Sequence, residues 1–270
     1  GLGVDCSFLA RRFRRADYVE RQETLCRLAA HNFPLLGLDH IRVHHADALE
    51  YLREMEPVDC LFLDPARRDS HGGKTVAITE CEPDVCALES LLVEKGRKVM
   101  VKLSPMLDMA SALRDLKYIR ELHVIAVNNE CKELTAVLYQ MNSVNESSEK
   151  EVVISCEQAV HNSLSEPFTY TLSEEKNAVC QLADRVETYL YEPGAALLKA
   201  GPYRLLSQRY GVKKLHPNSH LYTSSVQVDF PGRCFQVTGI SGFGKKEVKE
   251  LLSGLEKANL SVISPLQWPI

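Results

Sequence analysis

The sequence lacks any long hydrophobic run. No stretch of about 18 consecutive apolar residues occurs in its 270 residues, so the sequence predicts no membrane-spanning helix and no membrane partner. The composition is that of a globular protein, with 45% apolar and 25% charged residues. A chain of this length can bury a sizeable core, and it suits one large domain with a smaller one beside it.

The sequence also lacks paired cysteines at short spacing. It has nine cysteines, none of them in a C-x-x-C pair, and most of them lie in apolar runs. A structural metal site usually needs such pairs, so we expect no metal. The odd number and the apolar surroundings favour buried free thiols in a reducing compartment, which indicates a cytoplasmic protein.

Negative charge is scarce only at the carboxyl end. Residues 1–200 carry 23 Lys and Arg against 32 Asp and Glu, a net charge of −9, whereas residues 201–270 carry 9 against 4, a net charge of +5. A basic segment after an acidic body is typical of a module that meets a polyanion such as RNA. The alternative is one solvated helix that contains Lys245, Lys246, Lys249 and Lys257.

The first 140 residues alternate strand-like and helix-like segments, which predicts an α/β fold. The strands are almost continuously apolar, as in a parallel sheet covered on both faces. No helix separates the last two strands, so they are expected to pair antiparallel at one edge. The predicted strands are 17–20, 41–45, 58–64, 98–103, 123–127 and 133–139, and the predicted helices are 5–15, 22–36, 48–55, 82–95 and 108–116.

Polar residues recur where these strands end. The chain opens with a glycine turn, Gly1 and Gly3, that leads into a helix, and such turns let a ligand approach the backbone closely. Glu20, Asp47 and Asp64 end successive strands, where open parallel sheets bind ligands, and an acid in the place of Glu20 can accept hydrogen bonds from ribose hydroxyls. Each acid could instead be a helix N-cap, and for Asp47 this alternative is equally strong.

A nicotinamide cofactor is not indicated, because Cys6 stands where the dinucleotide fingerprint needs its third glycine. The stretch LFLDPARRD, residues 61–69, points elsewhere. Pro65 stiffens the turn after an apolar strand and offers no competing N–H, so Asp64 can face a donor on a substrate. Arg67 can stack on a base or hold a phosphate. The alternative is that Asp64 caps the turn and the arginines are simply solvated.

Four motifs in order resemble those of class I SAM-dependent methyltransferases over residues 1–140: GLGVD at the start, Val19–Glu20, Ala46–Asp47 and FLDPAR at 62–67. The resemblance implies a Rossmann-like sheet, here N-terminally truncated because the family's first strand would precede Gly1. It implies S-adenosyl-L-methionine (SAM) as cofactor and an acceptor, a base amino nitrogen, oriented by Asp64, Pro65 and Arg67. The cofactor-binding residues that it implies are Gly1, Gly3, Asp5, Glu20, Asp47, Ala48 and Asp64.

The D-P-x-R form is also similar to that of carbon-5 pyrimidine methyltransferases of RNA. Their chemistry needs a nucleophilic cysteine after the next strand, because the ring carbon must first be activated by covalent attack. The matching stretch, VKLSPMLD at 101–108, has none. Carbon-5 chemistry is therefore disfavoured, and Lys102 is either a substrate contact or only the end of a strand.

The carboxyl-terminal part resembles the THUMP-like module of a bacterial family of methyltransferase-like proteins, in YLYEPGAALLKAG (189–201), VKKLHPNSHLYTS (212–224) and the β-α-β pattern from Cys234. The resemblance implies three domains: a methyltransferase domain at 1–187, a small α+β ferredoxin-like segment at 188–231 and a THUMP-like domain at 232–270. Modules of this kind capture structured RNA by shape and backbone, so a tRNA or rRNA is the expected partner.

Two rival functions remain. One is a methyltransferase that acts on a protein or a small molecule, against which the basic tail argues. The other is a non-catalytic RNA-binding protein with a relict SAM fold, which the departure from the family pattern at Ala66 and Arg67 leaves open. His216 and His220 flank a Pro-Asn turn, and a role in the turn is expected rather than catalysis.

Overall fold

A computed structural model describes residues 1–66, 78, 81–140, 151–160, 163–242 and 244–254. The chain forms two compact units. Unit 1 contains the described residues within Gly1–Val101, Ala110–Tyr118 and Val137–Ser143. Unit 2 contains those within Lys102–Met109, Ile119–Ala136 and Val144–Ile270. Within these described ranges, no helix has both the length and the apolar character needed to cross a membrane.

The described elements alternate strand and helix in the first half, as predicted, and become shorter and more mixed in the second. The first half contains α1 (Val4–Leu9), a 3₁₀ turn (Ala10–Arg12), β1 (Ala16–Glu20), α2 (Glu23–Leu35), β2 (Ile41–His45), α3 (Ala48–Glu54), β3 (Val58–Leu63), α4 (Val85–Lys95), β4 (Gly96–Leu103), α5 (Met109–Asp115), β5 (Ile119–Val127) and β6 (Glu130–Tyr139). The second half contains β7 (Val153–Val160), β8 (Ser163–Leu164), β9 (Phe168–Thr171), α6 (Leu172–Asn177), β10 (Tyr189–Pro193), α7 (Ala195–Ala200), α8 (Tyr203–Tyr210), β11 (Lys213–Lys214), β12 (Tyr222–Ser224), β13 (Gly232–Gln236) and α9 (Lys245–Leu251).

In unit 1, β1 and β2 form a parallel pair with Glu20 opposite His45 at its carboxyl end. Helix α2 makes the crossover and buries Phe33 against Tyr18, with the two rings edge to face at 5.5 Å. Aromatic pairs favour this geometry, because the positive edge of one ring meets the negative face of the other. This small core fixes the position of the chain start and of Glu20.

Strands β1 and β2 form a two-stranded sheet of their own, and unit 1 also contains β3, β4 and the end of β6, which are neighbours in that order in another sheet. Strands β3 and β4 run parallel, with Val58 opposite Gly96 and Leu63 opposite Val101. Helix α4 joins them and begins at Val85, where the Asp84 side chain accepts a hydrogen bond from Ala87 N. The sequence-based expectation that this helix starts at residue 82, with a proline in its first turn, was therefore wrong.

In unit 2, the start of β6 is followed by β5, β7 and β8 in that order, and β9 also pairs with β7. A two-residue turn joins β5 to β6, and the two strands are neighbours in the sheet, as predicted. The prediction that they lie at one edge of the sheet was wrong, because β7 pairs with the other side of β5. Strands β5 and β7 run parallel, and β7 and β9 antiparallel. Helix α7 packs on β5 and β7.

A second sheet in unit 2 has the order β11-β12-β10-β13. Its core is aromatic, with Phe230 in ring contact with Tyr191, Tyr210 and Tyr222. A proline often begins a helix, but Pro193 is the last residue of β10. The helical segment that follows is broken at Gly201, whose left-handed φ of 81° ends α7.

Candidate functional site

The candidate site lies in unit 1 and begins with the glycine turn. Gly3 has φ 73° and precedes α1, a conformation that favours glycine. A Cβ on Gly3 would lie 2.7 Å from Cζ of Phe33, whereas nothing lies within 4 Å of one on Gly1. The carbonyl of Gly1 accepts a hydrogen bond from the Tyr18 hydroxyl. The turn therefore packs on the core through Gly3 and is tied to it by Tyr18. Asp5 lies in the first turn of α1.

Glu20 ends β1 directly beside this turn. Its carboxylate pairs with the amine of Gly1 and accepts a hydrogen bond from Gln22 N at 2.9 Å. The side chain is only 10% exposed. Burial raises the pKa of Glu20, but the hydrogen bonds from Gly1 and Gln22 outweigh it and hold the pKa below its usual value. The structure thus brings Gly1 and Glu20 together.

Asp47 follows β2 at the same end of the β1–β2 pair as Glu20, but its carboxylate already accepts hydrogen bonds within the protein. Ala46 N donates to the carbonyl of Glu20 at 3.2 Å, so the segment after β2 adjoins the end of β1. The Asp47 Oδ1 atom accepts hydrogen bonds from Leu49 N at 2.8 Å and Glu50 N at 3.2 Å, and Ala48 is the first residue of α3. Asp47 is therefore the N-cap of α3, and a role in ligand binding would be in addition to this one.

The turn after β3 is fastened to the end of β1. Asp64 is exposed and Pro65 is buried. Ala66 forms an antiparallel β-bridge with Glu82 through two backbone hydrogen bonds, with N to O distances of 2.8 and 3.0 Å. The Glu82 carboxylate in turn lies 3.0 Å from a guanidinium nitrogen of Arg21, the residue after Glu20. This ion pair links the segment that follows β3 to the residue that follows Glu20. Arg67 lies outside the described residues.

Arg21 and Glu82 are residues that the sequence analysis missed. Arg21 could have been noticed because it directly follows the acid at the end of β1. Glu82 carried no signal, since the pairing spans 61 positions along the chain and depends on the folded structure.

The residues present fit the ribose part of an adenosyl cofactor. Each carboxylate oxygen of Glu20 can accept two hydrogen bonds, so the bonds to Gly1 and Gln22 leave capacity for a pair of hydroxyls. In the part of the chain that the structure describes, no group of three or more His, Cys, Asp or Glu could hold a metal ion.

Two residues outside this edge were also singled out from the sequence. Lys102, in unit 2, lies with its amine 3.5 Å from a carboxylate oxygen of Glu133, so at least one of its contacts is structural. His216 accepts a hydrogen bond from Asn218 N at 3.1 Å, and this confirms its predicted role in the turn. His220 stacks on Tyr203 with ring centroids 3.9 Å apart.

Comparison with known proteins confirms the fold class. A family model of a ferredoxin-like domain matches residues 189–231. A crystal structure from Porphyromonas gingivalis W83, provisionally described as a methyltransferase, matches with a TM-score of 0.82 and 36% identity over 93% of this chain. This chain spans 62% of the length of that relative. The chain therefore has an α/β sheet like that of a methyltransferase, followed by a ferredoxin-like module.

Other solved structures are much less similar. An rRNA methylase from Streptococcus thermophilus matches 53% of this chain and 82% of its own, at 14% identity and a TM-score of 0.36. An uncharacterised protein from Listeria monocytogenes serotype 4b matches 54% of this chain and 61% of its own, at 13% identity and a TM-score of 0.38. Similarity at this level supports no functional inference. Comparison with curated protein sequences gave no match.

Proposed function

We propose that this chain is the cofactor-binding and RNA-binding part of a SAM-dependent methyltransferase that modifies a base amino nitrogen of structured RNA. The observation that carries the proposal is the placement of the Glu20 carboxylate, which lies beside the glycine turn at the carboxyl end of β1. The methyltransferase fold of the 36% identical relative supports it. When bound, SAM supplies an activated methyl group on a sulfonium, so the protein mainly has to position the reactants.

In this proposal each residue of the strand edge has one task. Glu20 accepts the hydrogen bonds of the ribose hydroxyls, and the backbone of Gly1 and Gly3 lies along the methionine part. Asp47 and Ala48 lie beside the adenine. The Asp64–Pro65 turn accepts a hydrogen bond from the acceptor amine and holds its lone pair toward the methyl group. The bridge between Ala66 and Glu82 fixes this turn relative to the cofactor residues.

The RNA part of the proposal rests on charge and on the carboxyl-terminal module. Residues 201–270 carry a net charge of +5. Lys245, Lys246 and Lys249 are exposed on α9, where they can contact phosphates. Phosphate contacts of this kind give binding that is independent of sequence and weakened by salt. We assign a THUMP-like role to this region, consistent with its resemblance to RNA-capturing modules.

Calorimetric titration of SAM tests the cofactor site. We expect micromolar binding, about −8 kcal/mol, and a loss of about tenfold or more in Glu20→Gln, because the neutral amide is a weaker acceptor for hydroxyls. Glu23→Gln is the matched control, since Glu23 is exposed in the first turn of α2 and its carboxylate pairs with Arg27 on the same helix. If the folded wild-type protein gives no heat with SAM but binds RNA, a non-catalytic RNA-binding protein becomes the better account.

A further inference from the structure

Unit 2 contains a cavity of about 620 Å³ that is separate from the residues of the candidate site. It opens where β5 and β7 end and where α7 begins. A volume of this size is in the range of small-molecule pockets. Residues from four segments line it and include Asn129, Gln158, Phe168, Leu197, Pro231 and Arg233.

Two amide side chains in the cavity are held in fixed orientation. Oδ1 of Asn129 accepts a hydrogen bond from Ala195 N at 2.9 Å and a longer one, 3.4 Å, from Nε2 of Gln158. Asn129 has a left-handed φ of 60°, which asparagine tolerates better than most residues. A Cβ on Gly194 would lie 2.9 Å from Oε1 of Gln158, so the glycine lets this amide lie close to the backbone.

This arrangement leaves one donor and one acceptor for a ligand. Within the described ranges, Nδ2 of Asn129 and Oε1 of Gln158 have no hydrogen-bond partner in the protein. An amide donor next to an amide acceptor matches the edge of a nucleobase, which presents an acceptor and a donor side by side.

The remaining walls are apolar and nearly uncharged. Leu197 and Phe168 are 4% and 8% exposed, and Pro231 lies beside them. Arg233 and Glu166 contribute one charge of each sign, and the Arg233 guanidinium is already paired with Glu192. Apolar and aromatic side chains are surfaces on which unpaired bases stack. A free phosphate group would find no concentration of positive charge here.

We propose that this cavity holds a single unpaired nucleobase of the bound RNA, read by Asn129 and Gln158 and stacked against the apolar wall. The inference rests on the proposed function, because it assumes that RNA is the substrate. It adds a second contact of stated chemistry: a flipped-out or single-stranded base that positions the RNA, distinct from the base that is methylated.

Two substitutions of Asn129 test the role of its amide. Asn129→Asp keeps the acceptor for Ala195 N and replaces the donor by a carboxylate oxygen. Asn129→Gly is neutral, adopts φ 60° without strain and removes the whole amide. Asn218→Asp is the matched charge control, because Asn218 lies in the exposed turn after His216, outside the cavity. Circular dichroism and thermal unfolding would show whether each variant is folded.

The probe is a fluorescein-labelled single-stranded RNA of 15 random nucleotides, and its Kd would be measured by anisotropy at several salt concentrations. Both Asn129 variants should weaken binding about tenfold, the effect of losing one or two hydrogen bonds to a desolvated base. The salt dependence should stay unchanged in Asn129→Gly, since its phosphate contacts are intact. Asn218→Asp should bind like wild type. RNA that contains 4-thiouridine should crosslink to residues 156–168 or 195–197 of wild type.

The outcomes separate the two proposals. Wild-type affinity in a folded Asn129→Gly variant, or crosslinks confined to other segments, would overturn the cavity inference while RNA binding stands. No binding of the RNA by wild type would overturn both the RNA assignment and the cavity inference. SAM titration would still report on the cofactor site independently.

Discussion

The buried carboxylate of Glu89, in α4, accepts a hydrogen bond from the backbone amide of Tyr118, just before β5, at 3.2 Å. The neighbouring amide of Lys117 donates to the other oxygen of the same carboxylate at 3.1 Å. Glu89 is only 3% exposed. The buried carboxylate thus accepts hydrogen bonds from two backbone amides in the segment between α5 and β5, and these amides would otherwise lack a partner.

Removing this carboxylate should destabilise the protein. We expect Glu89→Ala to lower the free energy of unfolding by about 2 to 3 kcal/mol, since two amides lose a charged acceptor and a small cavity forms. Urea unfolding followed by circular dichroism measures the change. Glu94→Ala, an exposed position on the same helix, should stay within about 0.5 kcal/mol of wild type. Equal stability of the two variants would contradict the role of Glu89.

Alanine at Gly3 should be more harmful than alanine at Gly37. Both glycines have left-handed φ values, 73° and 70°, so both substitutions incur about 1 kcal/mol of backbone strain. Only at Gly3 would the new methyl group meet the ring of Phe33. We expect a loss of about 3 kcal/mol for Gly3→Ala against about 1 for Gly37→Ala. Thermal unfolding of the two variants side by side would show the difference, and a similar loss for both would refute the proposed contact.

The stability that Asp17 contributes should disappear in acid. Asp17 Oδ1 lies 2.8 Å from Nε2 of His44, and Arg15 lies 3.1 Å from the other oxygen. Burial raises the pKa of Asp17, but the hydrogen bonds from His44 and Arg15 outweigh it, so the pKa lies below the usual value. The contribution is therefore complete above the unfolded pKa of about 3.9 and is lost as the pH falls through the folded pKa.

Asp17→Asn measures this contribution. At pH 5 the variant should be less stable than wild type by roughly 1 kcal/mol, and the difference should shrink as the pH falls from about 4 toward 2.5. Unfolding free energies from urea titrations at each pH provide the test. Asp39→Asn, an exposed position, is the control for the loss of a carboxylate. A difference that stays constant down to pH 2.5 would argue against the contact with His44.

The cysteines should differ sharply in reactivity. Cys156 is 4% exposed, and burial raises the pKa of its thiol to about 12, whereas Cys234 is exposed. Because the thiolate is the reactive form, N-ethylmaleimide at pH 8 should label Cys234 within minutes and leave Cys156 unlabelled until the protein is unfolded. Peptide mass spectrometry reports both sites, and fast native labelling of Cys156 would contradict its burial.

The sequence predicted the order of strands and helices well, but it predicted poorly which side chains are buried. Apolar strands such as 58–64 and 98–103 stand out because a parallel strand buried on both faces leaves little freedom in composition. Buried thiols were expected, yet only Cys26 and Cys156 are buried. A cysteine in an apolar run can still lie at a partly exposed edge, which composition alone does not reveal.

For the site, the sequence placed acids at strand ends, and the structure places Glu20 and Asp47 at adjacent ones. The ion pair between Arg21 and Glu82 and the hydrogen bond between Asn129 and Ala195 had no local signal, because each joins residues more than 60 positions apart. The boundary between β10 and α7 also had no clear signal. A proline such as Pro193 can end a strand or precede a helix, and the sequence around it does not distinguish the two.

Strand β13 has a consequence for where this chain can be cut. It pairs with all of β10, from Tyr189 opposite Gln236 to Pro193 opposite Gly232, although the ferredoxin-like match stops at residue 231. A fragment that ends at the edge of the sequence family would expose the backbone of β10 as an unprotected edge, ready to pair with another molecule. The segment that the family model matches, residues 189–231, is therefore shorter than the segment that completes the sheet around β10.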